Sequence, residues 1–502
     1  MSTTQKLELE DYVPVIVIGA GISGVCMGVQ LQTQLGFRGF HIYEEQREFG
    51  GTWAANVYPG CACDIPSALY SYSFAQKPDW SALLPPQHEI LEYVTSVAKS
   101  YGVDSHTTFR TRCVSAVWDV DNDRWVVTLQ DLDSGRTFRR PCAILVSAVG
   151  GLSAPKPASE TADFSSFEGA VFHSARWDHT VDLQDKDVVV IGNGCSASQF
   201  VPVIAPQTRS LTQIIRSPHW IFPGALPYYT PTIRWLIEHI PFGYLAFRFL
   251  VFLVAEINFG MFFMDAKGER LRTKLEAQSR KYILEAAPEK YHDVLTPKYP
   301  MGCKRRIFDS RKYLESLHGS NISLQASPIL EVLPRAVRTE AGTHPADVVV
   351  LATGFETNSF VPLDVVGRDN LSLRDHWASL GGPGAYDSIA CAGFPNFVML
   401  LGANWATGHT STIMAIENST NLAIKLMQPI LQDKASTFEV KAAAETEYVN
   451  KVQKDLRGTV WAGCRNWYAS PDGWNGTLYP WSQVTFWWRC RFPHWNAWVY
   501  SK

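Results

Sequence analysis

The stretches best suited to hold phosphate are Gly19-Ala20-Gly21-Ile22-Ser23-Gly24 and Gly192-Asn193-Gly194-Cys195-Ser196-Ala197-Ser198. Glycine lets backbone approach an anion closely, and free N–H groups at a helix start, aided by the helix dipole, hold it there. Glu44 stands about 20 residues beyond Gly24, where a dinucleotide fold needs a carboxylate for ribose hydroxyls. Past the second turn, the corresponding strand ends in Arg216-Ser217. A cation beside a hydroxyl suits a 2′-phosphate, so NADP is expected there over NAD. Ser23 and Ser196 are placed to cap their helices as well as to touch phosphate. Lys304-Arg305-Arg306 concentrates positive charge, and on residue type alone it is either an anion site or a solvated face. No His, Cys or carboxylate group has metal-ligand spacing, and no Ser-His-Asp context stands out. Cys61 and Cys63 are one residue apart, which argues against C-x-x-C thiol chemistry.

These residues need strands and helices to place them. Val13 to Ile18 is a β-branched run before the first turn, and an apolar helical pattern follows as far as Gly36. Phe40 to Tyr43 then reads as the strand that presents Glu44. Val188 to Ile191 repeats the grammar, followed by a helix through Phe200, Val203 and Ile204 and a strand over Thr212 to Ile215. Val114 to Leu129 and Cys142 to Val149 are β-rich, 223–300 has helical spacing, and strand character returns at Asp347 to Leu351 and Phe397 to Leu401. The expected fold is α/β, with two Rossmann-like dinucleotide-binding domains and an inserted helical subdomain.

A length of 502 residues suggests roughly three domains at about 150 residues each. With 46% hydrophobic and 19% charged residues the chain can bury a large core, which excludes a disordered class. A net charge of −3 supplies no cationic field, so no nucleic-acid partner is expected. Ten cysteines are too sparse for a disulfide scaffold and read as reduced thiols, and the N-terminus lacks signal-sequence architecture; a cytoplasmic location is expected. Phe242 to Met264 is very apolar, but Arg248 and Glu256 interrupt it, so it is expected to be a buried helix and no integral membrane segment is expected. Eight of the 17 tryptophans lie at or after Trp461, and a packed aromatic cluster is expected there.

Phe167-x-Gly169-x-x-x-His173-x-x-x-Trp177-Asp178 resembles the signature of type I Baeyer–Villiger monooxygenases. The resemblance takes in Gly50-Gly51-Thr52-Trp53, Asn56, Tyr58-Pro59-Gly60, Cys63-Asp64 and Asp347 to Phe355, and spans nearly the whole chain. It implies an FAD domain over 1–150 and 386–502, and an NADPH domain over 151–222 and 301–345. The helical subdomain is then 223–300, and 346–385 is a linker carrying the Ala352-Thr353-Gly354 motif. The implied reaction converts a ketone and O2 to an ester or lactone, with oxygen added at flavin C4a as a peroxyflavin that attacks the carbonyl.

Tyr299-Pro300-Met301-Gly302-Cys303-Lys304-Arg305 is similar to the family stretch in which the arginine faces the flavin and the lysine supports the NADP 2′-phosphate. Arg305 is thus implied to be catalytic, with Asp64 its counter-charge beside the flavin. Thr52, Trp53, Asn56 and Tyr70 are implied around the flavin, the Val114 backbone near its adenine, and Trp467 against the nicotinamide cofactor. His173 and Trp177 are read as structural or domain-coupling residues. Three positions depart from the family pattern: Ala62 replaces an arginine, Trp405 stands where a small residue is usual, and no lysine follows Asn475-Gly476. These departures bear on substrate scope. The competing expectations are a nitrogen- or sulfur-oxygenating flavoenzyme and, in another class, a degenerate flavoprotein with a membrane-surface or partner-binding role.

Overall fold

The computed structural model describes residues 8–152, 154–224, 231–356, 361–464 and 466–502. The N-terminal stretch read as lacking a signal begins in residues 1–7, outside the described ones. Val15–Ile18 (β1) is buried at every position, the pattern of an interior strand with both faces covered. It turns through Gly19 into Ile22–Leu35 (α1), which Gly36 closes in the left-handed region at φ 62°. Phe40–Tyr43 (β2), Thr107–Thr108 (β3) and Ile144–Ser147 (β4) join β1 in a parallel sheet. Its far edge is a late strand, Phe397–Met399, on β4. The C-terminal segment therefore returns to the first sheet.

A second parallel sheet uses Ala170–His173 (β5), Asp187–Ile191 (β6), Ser210–Ile214 (β7), Ile322–Gln325 (β8) and Val348–Leu351 (β9), in the order β8, β7, β6, β9, β5. Cys195–Ile204 (α2) follows β6. Val348–Leu351 falls in the segment read as a linker, yet it sits between β6 and β5, because its four valine and leucine residues are buried as an interior strand. The two sheets solve the same steric problem in the same way. Gly19 has φ 106° and an added Cβ would stand 2.6 Å from the Ala148 carbonyl oxygen; Gly192 has φ 114° and its Cβ would stand 2.3 Å from that of Ala352. Each glycine lies where the strand order reverses, the crevice in which open α/β sheets bind ligands.

Pro231–His239 (α3), Gly243–Asn258 (α4) and Ala266–Ala286 (α5) occupy the segment read as helical. The expectation that Phe242 to Met264 is buried fails. The stretch is helical, but half of its large apolar side chains are exposed, while Arg248 and Glu256 find their partners inside the protein. The tail corrects a second expectation. Of its eight tryptophans, Trp461 and Trp498 are buried, whereas Trp487 and Trp488 on Gln483–Arg491 (α6) and the following Trp495 are exposed. A third concerns the thiols: Cys303 and Cys464 are joined in a disulfide, with Cα atoms 6.2 Å apart, and the other eight cysteines are free. Sparse cysteines in sequence say nothing about which two the fold brings together.

Candidate active site

Two short strands, Ile221–Pro223 and Ile307–Asp309, pair in parallel with Ile221 opposite Ile307. The segments just before them, Ser217 to Trp220 and Cys303 to Arg306, are thereby laid side by side. Further bonds fasten them: Tyr299 Oη donates to the Pro218 carbonyl at 2.8 Å, Trp220 Nε1 donates to the Tyr299 carbonyl at 3.1 Å, and His219 Nδ1 lies 3.2 Å from the Arg305 carbonyl. Burial lowers the His219 pKa to about 4, so its ring is neutral.

The three consecutive cations then take three separate partners. Lys304 Nζ donates to Ser217 Oγ at 2.6 Å, and Arg306 lies over the Phe308 ring at 5.2 Å. Arg305 donates from Nε and Nη2 to the two oxygens of Asp64 at 2.7 and 2.6 Å. This divergence is not that of a solvated charge run. Burial alone would raise the Asp64 pKa, but Arg305 outweighs it and holds the carboxyl below its ordinary value. Asp64 in turn raises that of Arg305, so both groups stay charged. Their side chains are 20% and 39% exposed, and both line the cavity described next.

That cavity, about 1860 Å³, is lined by Thr52, Trp53, Asn56, Asp64 and Tyr70 from the first half of the chain. Gly192, Gly194, Cys195, Ser196, Arg216, Ser217, Lys304, Arg305 and Trp467 line it as well. Trp53 Nε1 donates to Tyr70 Oη at 2.9 Å, and Asn56 Nδ2 returns to the Thr52 carbonyl at 2.8 Å, so this wall is fixed by its own bonds. Across it, Tyr58 Oη donates to Gln199 Oε1 at 2.8 Å and Gln199 Nε2 donates to the Ala62 carbonyl at 3.0 Å, which ties the first nucleotide half to α2 of the second.

Other expected residues lie outside the cavity lining. Gly19, Gly21, Ser23, Gly24 and Glu44 form the first turn, where Glu44 Oε2 accepts the Ala20 N–H at 2.6 Å and Oε1 accepts that of Gln46 at 2.9 Å. A Cβ on Gly21 would stand 3.4 Å from Gly51 Cα, so two glycine backbones face each other beside Thr52. Ala197 is fully buried and Ser198 Oγ donates back to the Cys195 carbonyl at 2.9 Å. Their side chains are thus committed within α2. Val114 has an exposed side chain, and the antiparallel pairing between Thr111–Asp119 and Arg124–Asp131 skips it at a bulge.

The capping role expected of Ser23 and Ser196 is not made. The N-caps are Gly21 and Gly194, neither of which offers a side chain, because the serines fall inside the first turn. By contrast, Ser482 caps α6 by accepting the Thr485 N–H. The starts of α1 and α2 therefore keep unshared N–H groups beside glycines, as an anion site requires. His173 lines the cavity; its Nδ1 accepts the Ala175 N–H at 3.1 Å, and burial lowers its pKa to about 4. Trp177 is buried, 5.2 Å from both Phe172 and Phe200.

Three groups at the site escaped residue-by-residue reading. The Cys303–Cys464 disulfide links the arginine loop to the segment that carries Trp467. Tyr468 is buried near Arg305, with its pKa pushed up to about 12 by burial. Gln199 bridges the two halves. The first had a signal in sequence, as two cysteines each next to a motif, and Tyr468 had one as the neighbour of Trp467. Elsewhere folding gathers buried His376, Cys391 and Glu445, but His376 Nε2 and Glu445 Oε1 are 2.9 Å apart and Glu445 Oε2 accepts the Ala392 N–H, so they satisfy one another.

Residues 17–84 match the model of the NAD(P)-binding Rossmann-like domain. The chain is 33% identical to a Baeyer-Villiger monooxygenase of Pseudomonas aeruginosa, over 98% of its own length and 91% of that protein's. It is 34% identical to a Baeyer-Villiger monooxygenase of Streptomyces coelicolor, over 95% of its own length and 91% of that protein's. The solved structure of OTEMO in complex with FAD and NADP superposes with a TM-score of 0.82 at 25% identity, over 97% of this chain and 99% of that one.

Proposed function

The chain belongs to the Baeyer–Villiger monooxygenase family, and from that premise we propose an FAD- and NADPH-dependent enzyme that converts a ketone to an ester or lactone. The balance is ketone, O2, NADPH and a proton giving ester, NADP+ and water. When bound, FAD and NADPH supply the electrons and the activation of oxygen. The residues present fit both cofactors: two uncapped helix starts sit beside glycine turns whose Cβ positions are filled by backbone, and Lys304, Ser217 and Arg216 converge on one edge of the cavity.

The observation that carries the reading is the Asp64–Arg305 pair. A guanidinium held by both carboxylate oxygens cannot swing, so its remaining donors keep one direction into the cavity. Positive charge fixed in a confined site stabilises developing anionic oxygen far better than mobile, hydrated charge does. Glu44 is placed for the FAD ribose, and Gly19, Gly21 and Gly24 for its phosphates. Lys304 and Ser217, already hydrogen-bonded, with Arg216 beside them form the seat for a 2′-phosphate. Trp467 and buried Tyr468 line the same cavity and shield it from water.

The test is turnover of the FAD-loaded protein with NADPH, O2 and a panel of linear and cyclic ketones. Ester formed in step with NADPH consumed is expected. Peroxide as the sole oxygen product with every ketone, alongside oxygenation of a sulfide or amine, would overturn the reading.

A further inference from the structure

The charged residues of α4 point the wrong way for a helix facing water. Arg248 Nη1 donates to the carbonyls of Ala68 and Ser71 at 2.8 and 3.0 Å. Glu256 Oε1 accepts the Gln483 N–H at 2.9 Å and lies 2.8 Å from His409 Nε2. Both charges are thus spent inside the protein. The stripe turned away from Arg248, made of Leu245, Phe249, Leu250, Leu253, Val254 and Ile257, is exposed, Phe249 to 64% and Ile257 to 62%. A surface helix in water shows the reverse arrangement. Gly243–Phe262 is long and apolar enough to cross a bilayer, yet only 17% of its most apolar window is buried.

The tail brings further exposed aromatics near the end of α4. Through the Glu256–Gln483 bond, the end of α4 adjoins the start of α6, which exposes Trp487 and Trp488. The Trp488 ring packs 4.5 Å from that of Phe492, itself half-exposed and next to Arg491. Tryptophan beside arginine is the composition found at the headgroup level of membranes.

We propose that α4, flanked by the α6 aromatics, docks in the plane of a lipid bilayer. A protein partner is addressed through roughly one hydrogen bond per 100–200 Å² of interface, and the six side chains of the α4 stripe offer no donor or acceptor. Hydrocarbon asks for none. The helix lies on the bilayer and does not cross it, since crossing would tear Arg248 and Glu256 from their partners and place both charges in hydrocarbon.

The docked face leads to the cavity. α4 runs directly into Phe259–Phe262, where Met261 and Phe262 line the cavity wall and Phe262 packs 4.6 Å from Trp461. The substrate class that follows is a lipophilic ketone that partitions into the bilayer. This clause rests on the ketone reading above, whereas the docking itself does not.

The experiment is co-sedimentation of the full-length, FAD-loaded protein with phosphatidylcholine vesicles at low and high salt, together with turnover of a short soluble ketone and a long-chain one. Sedimentation with the vesicles at both salt levels is expected. Phe249→Glu combined with Leu253→Glu should lower the bound fraction roughly ten-fold while flavin content and soluble-ketone turnover stay at wild-type levels. Wild-type protein that stays in the supernatant overturns the proposal whether or not the variant folds. So does a dimer by light scattering that the variant dissociates, with no vesicle binding. Vesicle binding without turnover of any ketone sinks the ketone reading and leaves the docking standing; binding without preference for the long-chain ketone sinks the substrate clause alone.

Discussion

Asp64 and Arg305, 241 residues apart, are joined by two hydrogen bonds of 2.7 and 2.6 Å within one cavity. The geometry makes a specific demand on the side chain: two parallel N–H donors from a planar group. Arg305→Ala should reduce ester formation about 10²–10³-fold, the cost of removing one preorganised donor, while NADPH is still consumed and oxygen leaves as peroxide. Arg305→Lys should recover little, since an ammonium cannot match both oxygens. Parallel assays of ester, peroxide and NADPH decide it; ester yield unchanged in Arg305→Ala would remove Arg305 from the chemistry.

Lys304 offers a pH signature. Burial, then the nearby charge of Arg216, lowers its pKa from the ordinary lysine value. It carries its charge below that pKa and loses it as pH rises. The alkaline fall in kcat/KM for NADPH should therefore begin below the ordinary lysine range near about 10.4. Lys304→Arg should push that fall to higher pH, and Lys304→Ala should raise the KM for NADPH on the order of ten-fold with kcat little changed. Equal preference for NADPH and NADH in the wild type would refute the assignment.

Much of this was legible in the sequence because it depends on local grammar. A β-branched run, a glycine turn and an apolar helix specify each nucleotide half, and Glu44 and Arg216 follow at fixed strand ends. What stayed hidden depends on contacts between distant segments. That Gly24 cannot be substituted follows from the Gly19 carbonyl oxygen, 1.9 Å from where its Cβ would stand, and such contacts are a property of the turn in three dimensions. The Cys303–Cys464 bond and the Gln199 bridge span separations that no spacing rule covers. The reading of Phe242 to Met264 failed for a different reason. Two charged residues in an apolar run reveal an interruption, but not that each charge finds its partner inside the protein and leaves the apolar stripe exposed.

Trp405 tests how the cavity selects its substrate. It lines the wall half-buried, and a Cβ on Gly151 would stand 3.4 Å from its Nε1, so the ring closes the space against that backbone. Trp405→Ala should open the cavity and shift the ratio of kcat/KM for bulky over small ketones on the order of ten-fold, the discrimination a few buried carbons supply. The check is a competition assay between a cyclic ketone and its alkyl-substituted analogue. A ratio unmoved from wild type would place Trp405 outside the substrate volume.

The disulfide makes a claim on coupling as well as stability. Cys303 lies two residues before Arg305, and Cys464 three before Trp467. Asn466 strengthens the junction, donating from Nδ2 to the Trp461 carbonyl at 2.8 Å and accepting the Tyr468 N–H at 3.0 Å. A covalent tie here holds the Trp467–Tyr468 wall against the arginine loop, whatever else the tail does. Cys303→Ser with Cys464→Ser should cost about 2–4 kcal/mol of stability by removing a constraint on the unfolded chain. Water should then reach the cavity more easily, so peroxide should rise relative to ester while KM for NADPH changes little. Denaturant titration measures the first effect and product analysis the second. Treating the wild type with a thiol reductant should reproduce both, and a variant that loses stability yet keeps its ester-to-peroxide ratio would confine the disulfide to holding the fold.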